Sequence, residues 1–429
     1  MRERRQVCLD VAQAEGRLTS LVGAVFDRYG PVWAGRAGDC PGLEGQYRIG
    51  SITKTMTAVL VMQARDAGLL HLDDRVGQHL GAHVGYAEAS LRELLSHTSG
   101  MQSEPVGPWW ERSRGSDFAA LAAANDGTGR VARPGEMYHY SNLGFGLLGE
   151  VLCRVTGRPW RTLVHDVLLT PLGMTQTSYL PRPHAQPGWS VDHFTGVRTL
   201  EPLTNTGAMA PAGQLWSTVG DLVLWGQFLA GGRPDLLDPS TLHEMTLPVT
   251  DSYGLGLRLA TNAGGVLVGH NGTMPGFMAG VFVDPGSGIG AVVLTNATTG
   301  VDTERLVVDL IDGDFIDEVP EPWVPTSEVP SEVAGLPGLW FWGNSAVEVR
   351  WHNDGLDLRA LAAPGGRSRF VLREGRLVGV DGYHRGETLH VHRCPDGTVG
   401  HLEVATFVHT RTPYDPEVAV PGGHPARRG

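Results

Sequence analysis

The sequence predicts an α+β domain, an antiparallel sheet flanked by helices, followed by a small all-β, barrel-like domain. Three observations predict it. Strand-like runs lie at both ends of residues 1–316 and enclose a series of helix-patterned stretches. A segment rich in proline and acid, "IDEVPEPWVPTSEVPSEVAGLPG", follows at 316–338. Beyond it come alternating runs broken by Asn-Asp-Gly, Arg-Glu-Gly and Pro-Asp-Gly turns. At 429 residues the chain exceeds what one core usually organises. The expected division is 1–316, a stiff linker at 317–335, a β domain at 336–412 and a tail at 413–429.

In order along the chain, "MRERRQVCLDVAQAEGRL" begins with basic residues, but Asp10, Gln13, Glu15 and Gly16 interrupt any apolar run. The expectation is therefore no signal peptide and a cytoplasmic protein. "LVGAVFDRYGPVWAGRAG" (21–38) reads as a hairpin around a Tyr-Gly-Pro turn. Helix spacing runs from Ile52 to about Ala64 and recurs near 90–96, 142–156, 160–169, 219–230 and 239–246. "YGLGLRLA", "VLVGHNG" and "GFMAGVFVDPGSGIGAVVLTNAT" read as antiparallel strands, and "TERLVVDLIDGDF" (303–315) as a helix packing back on them.

Composition narrows the function. Charged residues are 19% and hydrophobic ones 41%, ordinary for a globular chain. The formal net charge of −12, with no basic block, disfavours nucleic acid as a partner. No apolar run approaches the ~20 residues needed to span a bilayer, so no membrane role is expected. Cys8, Cys40, Cys153 and Cys394 form no CxxC pair and fit free thiols in a reducing compartment.

One residue stands apart. Of 34 basic residues Lys54 is the sole lysine, in "QYRIGSITKTMTAVL" (46–60). Ser51 opens the helix after a short strand, and Lys54 follows at i, i+3 on the same face. Serine there is a ready N-cap, but lysine in a first turn opposes the helix dipole. A serine nucleophile needs a base, and burial can bring a lysine into that role where arginine stays protonated. The expectation is that the lysine kept in an arginine chain is the one that must lose its proton.

Two further stretches, "PGEMYHYSNLGFGLLG" with Tyr140-Ser141-Asn142 and "VGHNGTMPGF" with His270-Asn271-Gly272, complete a pattern with "SITK" and "LLSHTSG" (94–100). In this order they resemble the penicillin-recognising serine hydrolases, nearest the branch of class C β-lactamases, D-Ala-D-Ala carboxypeptidases, D-aminopeptidases and related esterases. The resemblance spans about 15–315 and includes "PLGMTQT" (171–177). It implies a helical lobe beside the sheet, with Ser51 as nucleophile and Lys54 and Tyr140 as proton shuttles, either being the acylation base. It also implies Asn142 on the substrate's amide side, and His270 and Gly272 on the strand edge beside the pocket. Backbone N–H groups of Ser51 and Thr273 would form the oxyanion hole. His97 is read as a structural feature at a helix end.

His270-Asn271-Gly272 stands where β-lactamases usually carry Lys-Thr-Gly, which weakens the case for gripping a substrate carboxylate by charge. The expected activity is therefore an esterase or a D-amino-acid-specific peptidase acting on a small-molecule or peptide acyl substrate. A thioesterase or cyclase releasing a peptide, a β-lactamase and a non-turnover acyl-binding sensor stay open as alternatives. Trp109 and Trp110 read equally as pocket lining or as packing. His390, His392 and Cys394 in "LHVHRC" alternate onto one strand face, but with no fourth ligand evident no metal is assigned. No cofactor is expected.

Overall fold

The computed structural model describes residues 2–40, 42–313, 320–362 and 366–414. Residues 314–315 of the expected last helix, 317–319 of the expected linker and the tail beyond 414 lie outside the described residues. The chain divides into two units, 1–190 with 200–323 and 191–199 with 324–429.

The first unit is built on a six-stranded antiparallel sheet, ordered Gly30–Gly38, Ser20–Asp27, Gly290–Thr295, Phe277–Val283, Gly265–Met274, Arg258–Asn262. The first and last strand-like runs of the unit are thus neighbours, with Leu21 opposite Thr295 and Phe26 opposite Gly290. All six residues of Gly290–Thr295 are buried, so both faces of the sheet are covered. Arg2–Gly16 and Thr303–Asp312 cover one face, while Val219–Gly231 and Ile52–Asp66 pack against the sheet from the other. Thr303–Asp312 starts on the Asp302 carboxylate, which accepts from the N–H groups of Glu304 and Arg305.

Arg2–Gly16 is a helix that the sequence pattern does not announce. Its apolar anchors are few, Leu9 and Val11 among them, and Gln13 is buried only because its amide donates to the Leu18 and Trp323 carbonyls. The helices expected near 90–96, 142–156, 219–230 and 239–246 form at Leu91–Leu95, Asn142–Thr156, Val219–Gly231 and Pro239–Thr246. The stretch expected as one helix at 160–169 widens through a π-helical segment, Val164–Leu169, before Thr170–Leu172.

Ile52–Asp66 is the central helix, buried on nearly every side. Its threonines reconcile polarity with burial: Thr55 donates to the Ile52 carbonyl and accepts from Trp225 Nε1, and Thr57 donates to the Pro211 carbonyl.

In the second unit eight strands, from Gly338–Trp342 to Phe407–Thr410, pair each with the next and close where Phe341 meets Thr410. Trp340, Val349, Leu356, Phe370 and Leu402 fill the interior. The turns fall where read: Asn353 and Asp354 take φ of 45° and 54° before Gly355, as a tight hairpin demands. Residues 191–199, placed by sequence within 1–316, belong to this unit. Trp351 donates its N–H to the Phe194 carbonyl at 2.8 Å, and Val197 bridges Thr326. That contact spans more than a hundred residues of chain and leaves no local pattern to read.

Candidate active site

Ser51 is delivered by backbone geometry. Tyr47–Arg48 pairs with Trp216–Ser217, and Ile49 donates its N–H to the Leu215 carbonyl. Gly50 then turns at φ +50°, and the helix begins at Ile52. Ser51 occupies the N-cap position, yet its side chain makes no capping hydrogen bond. The hydroxyl is left for other partners, which answers the N-cap reading of this serine.

Those partners are Lys54 and Tyr140. Lys54 Nζ lies 2.8 Å from Ser51 Oγ and donates to the Ala212 carbonyl at 2.7 Å. Its side chain is fully buried, with Nζ 5.0 Å from the Tyr140 ring centre and 5.6 Å from that of Phe145. Burial pushes the amine from 10.5 down to about 7, against the opposing pull of the Glu104 and Glu111 carboxylates. Tyr140 donates its hydroxyl to Ser51 Oγ at 2.9 Å, and burial pushes this phenol well above the ordinary tyrosine range. Near neutral pH the amine is therefore the group able to accept a proton, and the phenol the group that holds one.

Tyr140 is aimed by His97. The His97 ring lies 4.2 Å from the Tyr140 ring, its Nδ1 accepts from the Ser141 N–H, and its carbonyl accepts from the His139 N–H. Burial holds His97 neutral. The helix-end feature is thus a brace for the loop that carries the tyrosine.

The strand Gly265–Met274 closes the opposite wall. A Cβ on Gly272 would sit 2.0 Å from the Ile49 carbonyl oxygen and 2.9 Å from the Ser51 nitrogen. A Cβ on Gly50 would sit 2.7 Å from the Thr273 nitrogen. Two glycines therefore let the backbones of Ser51 and Thr273 approach, the arrangement two convergent oxyanion donors require.

Asn142 and His270 sit differently from the three central groups. Asn142 donates its amide to Glu104 at 2.7 Å, and Trp110 Nε1 donates to the other Glu104 oxygen at 2.6 Å. His270 is 2% exposed. Its Nε2 accepts from the Tyr253 hydroxyl at 2.9 Å, and its Nδ1 faces the Asn271 carbonyl. Its ring centre lies 6.1 Å from that of Tyr140. Burial, reinforced by the Lys54 charge, pushes it down to about 3, so the ring is neutral where a lysine would be charged. Trp110 packs into the wall beside Gly213, whereas Trp109 is 57% exposed with Arg112 over its ring.

Sequence reasoning missed Glu104, Glu111, Ala212 and Tyr253. Glu104 and Glu111 bracket the Trp109-Trp110 pair, and that aromatic–acid cluster was the available signal. Ala212 acts through its carbonyl and Tyr253 through a partner seventeen residues away, for which sequence holds no mark.

A serine at a helix N-terminus, hydrogen-bonded to a buried lysine and to a tyrosine beside an antiparallel sheet, fits a serine hydrolase acting on acyl groups. Residues 10–312 match the Beta-lactamase family, and the chain belongs to it. Residues 329–411 match a domain of unknown function (DUF7586). Penicillin-binding protein 4 of Amycolatopsis lactamdurans is 30% identical over 68% of this chain and 84% of its own length. The D-alanyl-D-alanine-carboxypeptidase/endopeptidase AmpH of Escherichia coli K12 is 31% identical, over 47% of this chain and 53% of that protein. The crystal structure of a D-stereospecific amidohydrolase from Streptomyces sp. aligns with TM-score 0.64 and 28% identity, covering 73% of this chain and 99% of that one. Among the described residues no helix is long and apolar enough to cross a membrane.

Proposed function

We propose that the protein hydrolyses amide or ester bonds of small D-amino-acid derivatives or short peptides through an acyl-enzyme on Ser51. The observation that carries the reading is the hydrogen-bonded group Lys54–Ser51–Tyr140, with a serine hydroxyl that is not spent on its helix. Neutral Lys54 takes the Ser51 proton as Oγ attacks the carbonyl carbon. The Ser51 and Thr273 N–H groups receive the developing oxyanion. Tyr140, still protonated, relays a proton to the leaving amine or alkoxide and is refilled from Lys54. Water then repeats the sequence on the acyl-enzyme.

Substrate class rests on charge. The Glu104 and Glu111 carboxylates, whose charges reach Lys54, and an uncharged His270 favour a neutral or amine-bearing acyl donor over one held by a carboxylate. The similarity to the amidohydrolase supports the same choice. The free cysteines agree with a cytoplasmic reaction.

The test is intact-mass analysis and turnover with D-amino-acid amides, p-nitrophenyl esters, peptidyl thioesters and β-lactams. The expected result is a transient acyl adduct and multiple turnover on D-aminoacyl amides and esters, with both absent in Ser51→Ala. An adduct that persists without turnover makes the protein an acyl-binding sensor instead. Fluorophosphonate labelling that survives Ser51→Ala removes Ser51 as the nucleophile.

A further inference from the structure

The run "LHVHRC" (389–394) gains partners that sequence alternation does not show. In the barrel, Thr388–Arg393 pairs antiparallel with Val399–Val404, setting His392 opposite His401 and His390 opposite Glu403. Directly opposed residues share a face, so imidazoles and a carboxylate from two strands meet on one surface. The His392 and His401 rings stack at 4.1 Å and 9°, and His392 Nε2 lies 3.0 Å from Glu403 Oε2. One ligand atom from each of His392, His401 and Glu403 lies within 4.8 Å of the other two. Cys394, which alternation placed with the histidines, falls past the strand end, where the register shifts between His392 and Arg393.

We propose that His392, His401 and Glu403 form a binding site for a divalent transition metal of the zinc class, with water completing its coordination. Two imidazoles and one carboxylate suit zinc, nickel or copper and are a poor set for calcium or magnesium, which prefer oxygen donors. In a tetrahedral zinc site with bonds of about 2.1 Å, ligand atoms lie roughly 3.4 Å apart. The observed spread closes by side-chain rotation, since the His392 and Glu403 side chains are 46% and 30% exposed. Metal entry replaces the His392–Glu403 hydrogen bond and leaves positions open to solvent. The metal would clasp two adjacent barrel strands.

The test uses the full chain, stripped with a chelator and titrated with zinc chloride by calorimetry, with cobalt(II) absorbance reporting imidazole coordination. Expected are one zinc per chain, a rise in Tm at saturating zinc, and binding weakened by at least about 100-fold in His401→Ala, since even outer partners of metal ligands are worth 10–100-fold. Ester turnover stays unchanged in that variant. Glu403→Gln, which keeps shape at the same face, gives a second reading should His401→Ala fold poorly. The proposal falls if wild type shows no saturable zinc binding. It falls equally if zinc binds all variants with unchanged affinity, which places the ion at other histidines.

Discussion

Replacing Lys54 with methionine should abolish turnover and stabilise the fold, with a pH signature that reports the amine directly. Lys54 falls from an ordinary 10.5 to about 7 on burial. For a base with a lowered pKa, the unfolded chain holds the proton between those two values while the folded chain has released it. Wild-type stability therefore rises with pH from about 7 to 10.5, and below 7 the full penalty is present. Each pKa unit is worth about 1.4 kcal/mol, so the penalty near neutrality is about 4–5 kcal/mol. Methionine matches the length and carries no charge, but it leaves the Ala212 carbonyl without its donor, at a cost of ~1–3 kcal/mol. The net expectation is a variant more stable than wild type by about 2 kcal/mol at pH 7. Urea unfolding followed by tryptophan fluorescence at a series of pH values measures the difference. The advantage should be largest below pH 7 and shrink steadily towards pH 10. A difference that does not vary with pH would refute the depressed lysine, and with it Lys54 as the base.

The remaining expectations touch the same site. Gly272→Ala should lower kcat by about 100-fold or more by driving a Cβ into the Ile49 carbonyl, spoiling the oxyanion wall; a variant with half the wild-type kcat would remove this strand from the chemistry. Glu104→Gln deletes a charge that holds the Lys54 pKa up, so the acid limb of the kcat profile should move to lower pH, and an upward shift would contradict the assigned electrostatics. His97→Ala removes a ring packed on Tyr140 and the acceptor of the Ser141 N–H, and it places alanine at φ +58°. A stability loss of about 2–4 kcal/mol with a fall in kcat is expected. His97→Asn, better suited to a left-handed backbone, should recover part of the stability, as thermal unfolding would record.

The sequence alone determined that Ser51 and Lys54 meet, because they are neighbours on one helical turn and local geometry is enough to join them. It also determined the hairpins of the barrel, since Asn353-Asp354-Gly355 encodes its own turn. Folding alone decided what surrounds those groups. The hydroxyl of Ser51 could have capped its helix; only the approach of Tyr140, 89 residues away, shows it engaged elsewhere. His270 was legible as part of a motif, yet no local pattern reports its hydrogen bond to Tyr253 or the burial that keeps it neutral. Glu104, which accepts from Asn142 and Trp110, and Glu403, which reaches His392 diagonally across a strand pair, follow the same rule. Side chains within a turn of each other are set by local periodicity, whereas partners across strands and loops, and the burial that tunes their protons, exist only once the chain has packed.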